Sequence, residues 1–347
     1  MDIPNTSPTR LERDTDASWS RAAPWLPVAL AILYPWALRA FHAAIATGST
    51  AGAIGAGLWL AVAFALPLAG LVLTLVDDPL PAVGTLGPAA RRLGFAALAA
   101  PPLFVLTGVV AGLLHSPVRD VWIWPVAWIL AGVTASLARS PDAPAPTRAS
   151  GRLRVVHGVT GALILLFVAF HLSNHLTGLF GPEAHGRIMK AGRVIYRSSI
   201  VEPLLVGLLL FQVAVGLRLA WRWSAGRMDL ARTIQVGSGA YLAAFILTHL
   251  NSALVSARAV HGIQTDWAWA SGAPDGLLLD AWNIRLVPHY ALGVFFVVAH
   301  LFCGLRGVLL AHGARPAVVQ RVWWAGLGLA AALSATIIAA LCGLRLG

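Results

Sequence analysis

The sequence predicts an all-α integral membrane protein with about nine transmembrane helices. Composition is the first sign: 58% of the residues are hydrophobic, 11% are charged, and the mean hydropathy is +0.75, far outside the range of a water-soluble domain. The second is length, because nine apolar stretches each approach the roughly 20 residues that cross a hydrocarbon core of about 30 Å. The third is that His171 and His249 lie deep inside two of these stretches, where a polar side chain persists only if something satisfies it.

Taken in order, the predicted spans are 23–46, 54–76, 93–114, 121–139, 155–179, 200–222, 234–256, 286–310 and 322–344. The first is interrupted by Pro35 and Arg39, and Arg39, with no charged partner in its own span, is expected to snorkel or to contact a propionate. The third carries Gly108 and Gly112, a spacing that suits close helix packing. Between the fourth and fifth lies RSPDAPAPTRASGRLR, residues 139–154, which reads as an extended Pro- and Arg-rich linker. It divides a four-helix module of unknown role, 1–138, from a five-helix module, 155–347. Shifting the third and fourth spans onto the seventh and eighth lays Gly108 on His249 and Gly132 on His300, so 1–138 can be read as a degenerate repeat of the second half. The alternative is four extra helices that shield the second module or contact a partner.

Residues 1–21 are polar and mixed in charge, so entry into the membrane through the chain's own helices is expected, without a cleaved signal. The net charge of +11 does not point to nucleic acid, because the arginines cluster at the ends of apolar runs, where they meet lipid headgroups. Placing the N-terminus, the linker and connections such as 218–232 and 306–321 on one side puts basic residues there about two to one, which predicts a cytoplasmic N-terminus. The two cysteines, Cys303 and Cys342, both lie in apolar runs and read as buried thiols.

Helix rise gives depth. His171 and His249 follow the starts of two spans of the same direction by 16 and 15 residues, which puts both about 22–24 Å along and at one level near the outer face. His300 lies about 22 Å inward on a span of opposite direction, with Gln212 about 18 Å inward on its neighbour, so a His/Gln pair is expected near the cytoplasmic face. Gly161 and Gly239 each precede a histidine of the outer pair by ten residues, as though two helices made room for one flat object. Two imidazoles at one depth suit the axial positions of a b-type haem, which takes neutral nitrogen ligands in an apolar slot between helices. Zinc would want more N, S or O ligands at that level.

Other polar residues have weaker claims. His175, one turn beyond His171, and His289, three turns before His300, are candidate contacts to a haem propionate or a quinone. His157 reads as an interfacial residue, and Trp267, Trp269 and Trp282 as an aromatic belt.

Residues 152–345 resemble the five-helix cytochrome b subunit that anchors succinate dehydrogenases and fumarate reductases in bacterial membranes. The resemblance is carried by RLRVVHGVTG (152–161), HLSNHLTGLFGPEAH (171–185), YRSSIVEPLL (196–205), QVAVGL (212–217), QVGSG (235–239) with His249, and AHLFCGLRG (299–307), in that order. It implies a bundle that binds haem b and passes electrons between a flavoprotein/iron–sulfur pair on the cytoplasmic face and membrane quinone. By position, it implies that His171 and His249 ligate the outer haem and that His300 matches one ligand of the inner haem. Gln212 stands where the second inner ligand belongs, and glutamine is a poor axial ligand. One haem is therefore expected, with quinone, another ligand such as His157, or an altered role filling the inner position.

The expectation is a quinone-reactive, haem-bearing anchor in the bacterial inner membrane. Its partners would be lipid, quinone and soluble redox subunits rather than nucleic acid, and it would carry electrons without itself oxidising a dicarboxylate. Two other readings stay open: a haem-binding or structural membrane protein without redox partners, and a transporter whose two halves are repeats.

Overall fold

The computed structural model describes residues 22–75, 87–138, 148–226 and 228–346, and all regular structure among them is helical. α1 (Trp25–Ile45) and α2 (Thr50–Leu73) form an antiparallel hairpin, and the Ser49 hydroxyl caps α2 by accepting from the Gly52 amide at 3.0 Å. The predicted third span is two helices, α3 (Pro88–Leu98) and α4 (Ala100–Leu113), bent by 67°. Pro101 and Pro102 follow the break, and two successive residues without an amide proton remove the hydrogen bonds that would hold a straight helix. α5 (Asp120–Leu137) closes the first half.

The second half begins with α6 (Arg148–Thr177), so the helix reaches back through residues expected to belong to the linker; 139–147 lie outside the described residues. The last proline of that segment is Pro146, and beyond it nothing in the sequence prevents helix. After a 3-10 turn, Gly181 adopts φ 103°, which lets the chain reverse into α7 (Pro182–Tyr196), an amphipathic helix that the span pattern did not anticipate. α8 (Val201–Trp223), α9 (Leu230–Leu250), α10 (Leu286–Ala311) and α11 (Pro316–Leu341) complete the bundle. Asp229 caps α9 by accepting from the Arg232 amide at 2.7 Å, and α9 continues past His249 as a widened π-helix, Asn251–Val260.

Eight of these helices are long and apolar enough to cross a membrane, and the bent pair makes up to nine spans. Large apolar side chains point outward along them, among them Leu163, Leu166, Leu204 and Leu217. Such a surface is costly in water and suits lipid, and the chain is a multi-pass membrane protein.

The halves are not independent bodies. One buried cluster draws Tyr34, Phe104 and Trp124 from the first half together with Ile284, Leu286, Val287 and Ile337 from the second. Arg91 donates to the carbonyls of Ser224 and Gly226, and Arg92 lies 3.6 Å over the ring of Trp221. α3 and α4 also pack on α9.

A histidine-bridged slot between helices

α6 lies along α8, and α9 lies along α8 and α10, but α6 does not pack along either α9 or α10. Packed helices have axes about 8–10 Å apart, so this arrangement leaves a slot in the second half. Histidine rings reach across it at two levels.

At one level His171 of α6 faces His249 of α9, with ring centres 6.0 Å apart and planes at 75°. No hydrogen bond joins the two rings among the described residues. Phe167, one turn before His171, stacks on it at 5.5 Å, and Phe245, one turn before His249, stacks on that ring at 5.7 Å with planes only 9° apart. The i, i+4 spacing on each helix produces both stacks, and they restrict how each imidazole turns. Both histidines remain half-buried.

Two imidazoles bound to opposite faces of one iron would hold ring centres about 6 Å apart, given metal–nitrogen bonds of about 2 Å and a ring centre roughly 1 Å behind each nitrogen. The donor set, its spacing and the apolar slot fit a bis-imidazole haem. Among the described residues, no three His, Cys, Asp or Glu side chains converge to hold a bare metal ion.

Beside this pair lies a set of buried polar groups. His175 stands 4.8 Å from His171 and 5.4 Å from His185, ring centre to ring centre. His185, on α7, accepts a hydrogen bond at Nε2 from the Asn174 amide at 3.1 Å. The Nδ1 atoms of His175 and His185 and the Oδ1 of Asn174 are buried without hydrogen-bond partners. Burial holds the His185 imidazole below the usual histidine range, the Arg193 guanidinium pushes the same way, and Asp266 opposes them. Trp267 covers this cluster, 4.9 Å from His185, and is buried, so it does not belong to the interfacial belt expected for it. His185 lay within a matched stretch but carried no predicted role; its register with Met189 on one face of an amphipathic helix was the available signal.

His289 is fully buried, and the ring of Phe245 neighbours both it, at 4.6 Å, and His249, at 5.7 Å. It shares the level expected for it but not the slot.

At the other level His300 does not meet Gln212. Its ring neighbour is His157, with centres 6.2 Å apart and planes at 83°. Gln212 turns its amide nitrogen to the His157 carbonyl and the Thr160 hydroxyl, both at 2.9 Å. The predicted glycines serve this level: a methyl at Gly161 would come within 3.2 Å of the Gln212 amide, and one at Gly239 within 3.3 Å of the His300 ring. Arg39, exposed on α1, lies 5.4 Å over Trp36, away from both levels.

A separate cleft of about 360 Å³, lined by His115, Arg119, Asp120, Trp282 and Arg285 among others, contains none of the predicted site residues. Comparison with protein-family models, with curated proteins and with solved structures found no match to this chain.

Proposed function

We propose that this chain is the haem b-bearing, quinone-reactive anchor of a succinate dehydrogenase- or fumarate reductase-type complex in a bacterial cytoplasmic membrane. The observation that carries the reading is the His171–His249 pair, two imidazoles 6.0 Å apart contributed by helices that make few contacts with each other. A packing pair of histidines would normally share a hydrogen bond and draw its helices together; a separation near 6 Å instead leaves room for one metal between the rings.

When bound, haem b supplies one-electron chemistry at its iron. The chain's part is to present two neutral imidazoles along one axis, to fix their planes by the Phe167 and Phe245 stacks, and to exclude water with the apolar walls of α6 and α8. The partnerless Nδ1 atoms of His175 and His185 would donate to a quinone carbonyl at the same end of the bundle, and the partnerless Oδ1 of Asn174 would accept from a quinol hydroxyl. On this reading the bias of basic residues puts the His157 end at the cytoplasm, where Arg218, Arg315 and Arg321, all exposed, would meet an acidic face of the flavoprotein and iron–sulfur subunits.

The test is a reduced-minus-oxidised optical spectrum of the protein extracted from its native membrane in mild detergent. A b-type band is expected, with flavin and non-haem iron co-eluting. Absence of the band overturns the cytochrome reading and leaves a helix-packing protein. A band without flavin or non-haem iron overturns the redox complex alone.

A further inference from the structure

We infer that His157 and His300 form a second bis-imidazole haem site, closed by a ligand from α6 rather than from α8. This rests on the cytochrome reading above and extends it to the level where Gln212 occupies the expected ligand position.

The two histidine pairs have nearly the same geometry: 6.2 Å and 83° for His157–His300, against 6.0 Å and 75° for His171–His249. His157 and His171 are separated by about four turns and roughly 21 Å on α6, so one face of that helix presents both rings to the slot. Across it, α9 supplies the partner at one level and α10 the partner at the other.

Hydrogen bonding around His300 sets its tautomer. The Ser238 hydroxyl donates to the Gln235 carbonyl at 3.0 Å, so its oxygen accepts from His300 Nδ1–H at 2.9 Å. His300 Nε2 then carries the lone pair, the state a metal ligand requires, and a partner fixing the other ring nitrogen is the usual outer support of such a ligand. His157 Nδ1 is buried without a hydrogen-bond partner, so that ring lacks the outer support that Ser238 gives His300, and its place beside His300 rests on the ring geometry.

Gln212 has a different task. By donating to the His157 carbonyl and to Thr160 it clips α6 to α8 beside the ring it was expected to replace. Gly216 lies 3.4 Å from the His157 ring, measured from where its methyl would stand, and Gly239 3.3 Å from the His300 ring. The bare backbone on both sides leaves the space between the rings open. Gln212 is thus a positioning residue.

The experiment is the haem-to-protein ratio by the pyridine haemochrome method on the purified full chain, with low-spin electron paramagnetic resonance signals and redox titration. Two haems per chain are expected; His157→Ala and His300→Ala should each leave one, and His171→Ala should also leave one, of different potential. His157→Met is the variant that keeps a ligand: it should retain two haems while raising one midpoint potential, because a Met/His pair favours the reduced iron. One haem in the unaltered chain, lost in His171→Ala and untouched by His157→Ala, overturns this site and leaves the first intact. Two haems indifferent to His157→Ala and His157→Met overturn it as well. No haem at all overturns both.

Discussion

The guanidinium of Arg285, at the entrance to α10, lies 2.5 Å from the carboxylate of Asp120, the first residue of α5, with both side chains largely withdrawn from solvent. The same guanidinium lies 4.4 Å over Phe104, and Nε donates to the Trp282 carbonyl at 3.1 Å. Gly108 makes the pair possible, since a methyl there would stand 2.5 Å from the Arg285 nitrogen and 2.8 Å from the Asp120 oxygen. The pair fastens the N-terminal half to the C-terminal half. Asp120→Ala should strand a buried cation and cost about 3–5 kcal/mol, whereas Asp120→Asn combined with Arg285→Met should recover most of that loss. Thermal unfolding in detergent measures both; an Asp120→Ala variant as stable as the parent would show that the pair contributes nothing.

Gly178 and Trp267 form the second dependency. A methyl on Gly178 would overlap the indole that covers His175 and His185, and the Arg345 guanidinium lies 5.3 Å from the centre of the same indole. Overpacking a rigid indole against backbone costs about 1–3 kcal/mol, so Gly178→Ala should lower the melting temperature. Gly178→Ala in a Trp267→Leu background should cost much less, giving a coupling of about 0.5–3 kcal/mol. Additive losses in the double variant would mean that the two residues do not meet.

The level of the outer histidine pair was legible because depth follows from counting residues along a helix, and counting needs no knowledge of neighbours. Azimuth is different. Which ring faces which depends on the arrangement of helices around the slot, and the span pattern says nothing about that, so Gln212 was matched to His300 in place of His157. His157 was read as interfacial because hydropathy starts its span at 155; the helix starts at Arg148, which puts His157 about 14 Å along it with its ring beside His300, itself about 16 Å from the far end of α10. Hydropathy marks where the apolar run begins, not where backbone hydrogen bonding begins. α7 escaped notice for the opposite reason: it is too polar on one face to register as a span, and it brings His185 to the cluster from outside the apolar runs.

His185 should make stability depend on pH. Its pKa is depressed in the folded protein, chiefly by burial and next by Arg193, so between the folded value and the ordinary value near 6.5 the unfolded chain binds more protons than the folded one. The stabilisation is therefore complete above about pH 6.5 and is lost as the pH falls below that toward the folded value. Melting temperature in detergent should decline on the acid side of neutrality, and His185→Gln should remove part of that slope by deleting the titrating ring. A His185→Gln variant with the same acid-side slope as the parent would sink the assignment.

His171 and His249 should be the two residues whose loss abolishes the first haem. Each is held by a stacked phenylalanine, they come from different helices, and their 6.0 Å separation would leave room for one metal between them. His175, although 4.8 Å from His171, projects from the same helix one turn on, so the two cannot grip one iron from opposite faces. His289 packs against Phe245, the ring that stacks on His249, and no ring contact of His289 with His171 is found among the described residues. His171→Ala and His249→Ala should each lose the low-spin b signal of the first site, while His175→Ala and His289→Ala retain it. The measurement is the low-spin electron paramagnetic resonance spectrum together with the haem ratio, so that a remaining second haem is not mistaken for the first. Should His175→Ala erase the signal while His171→Ala spares it, the axial ligand would be His175, and the slot would be read one turn nearer α7.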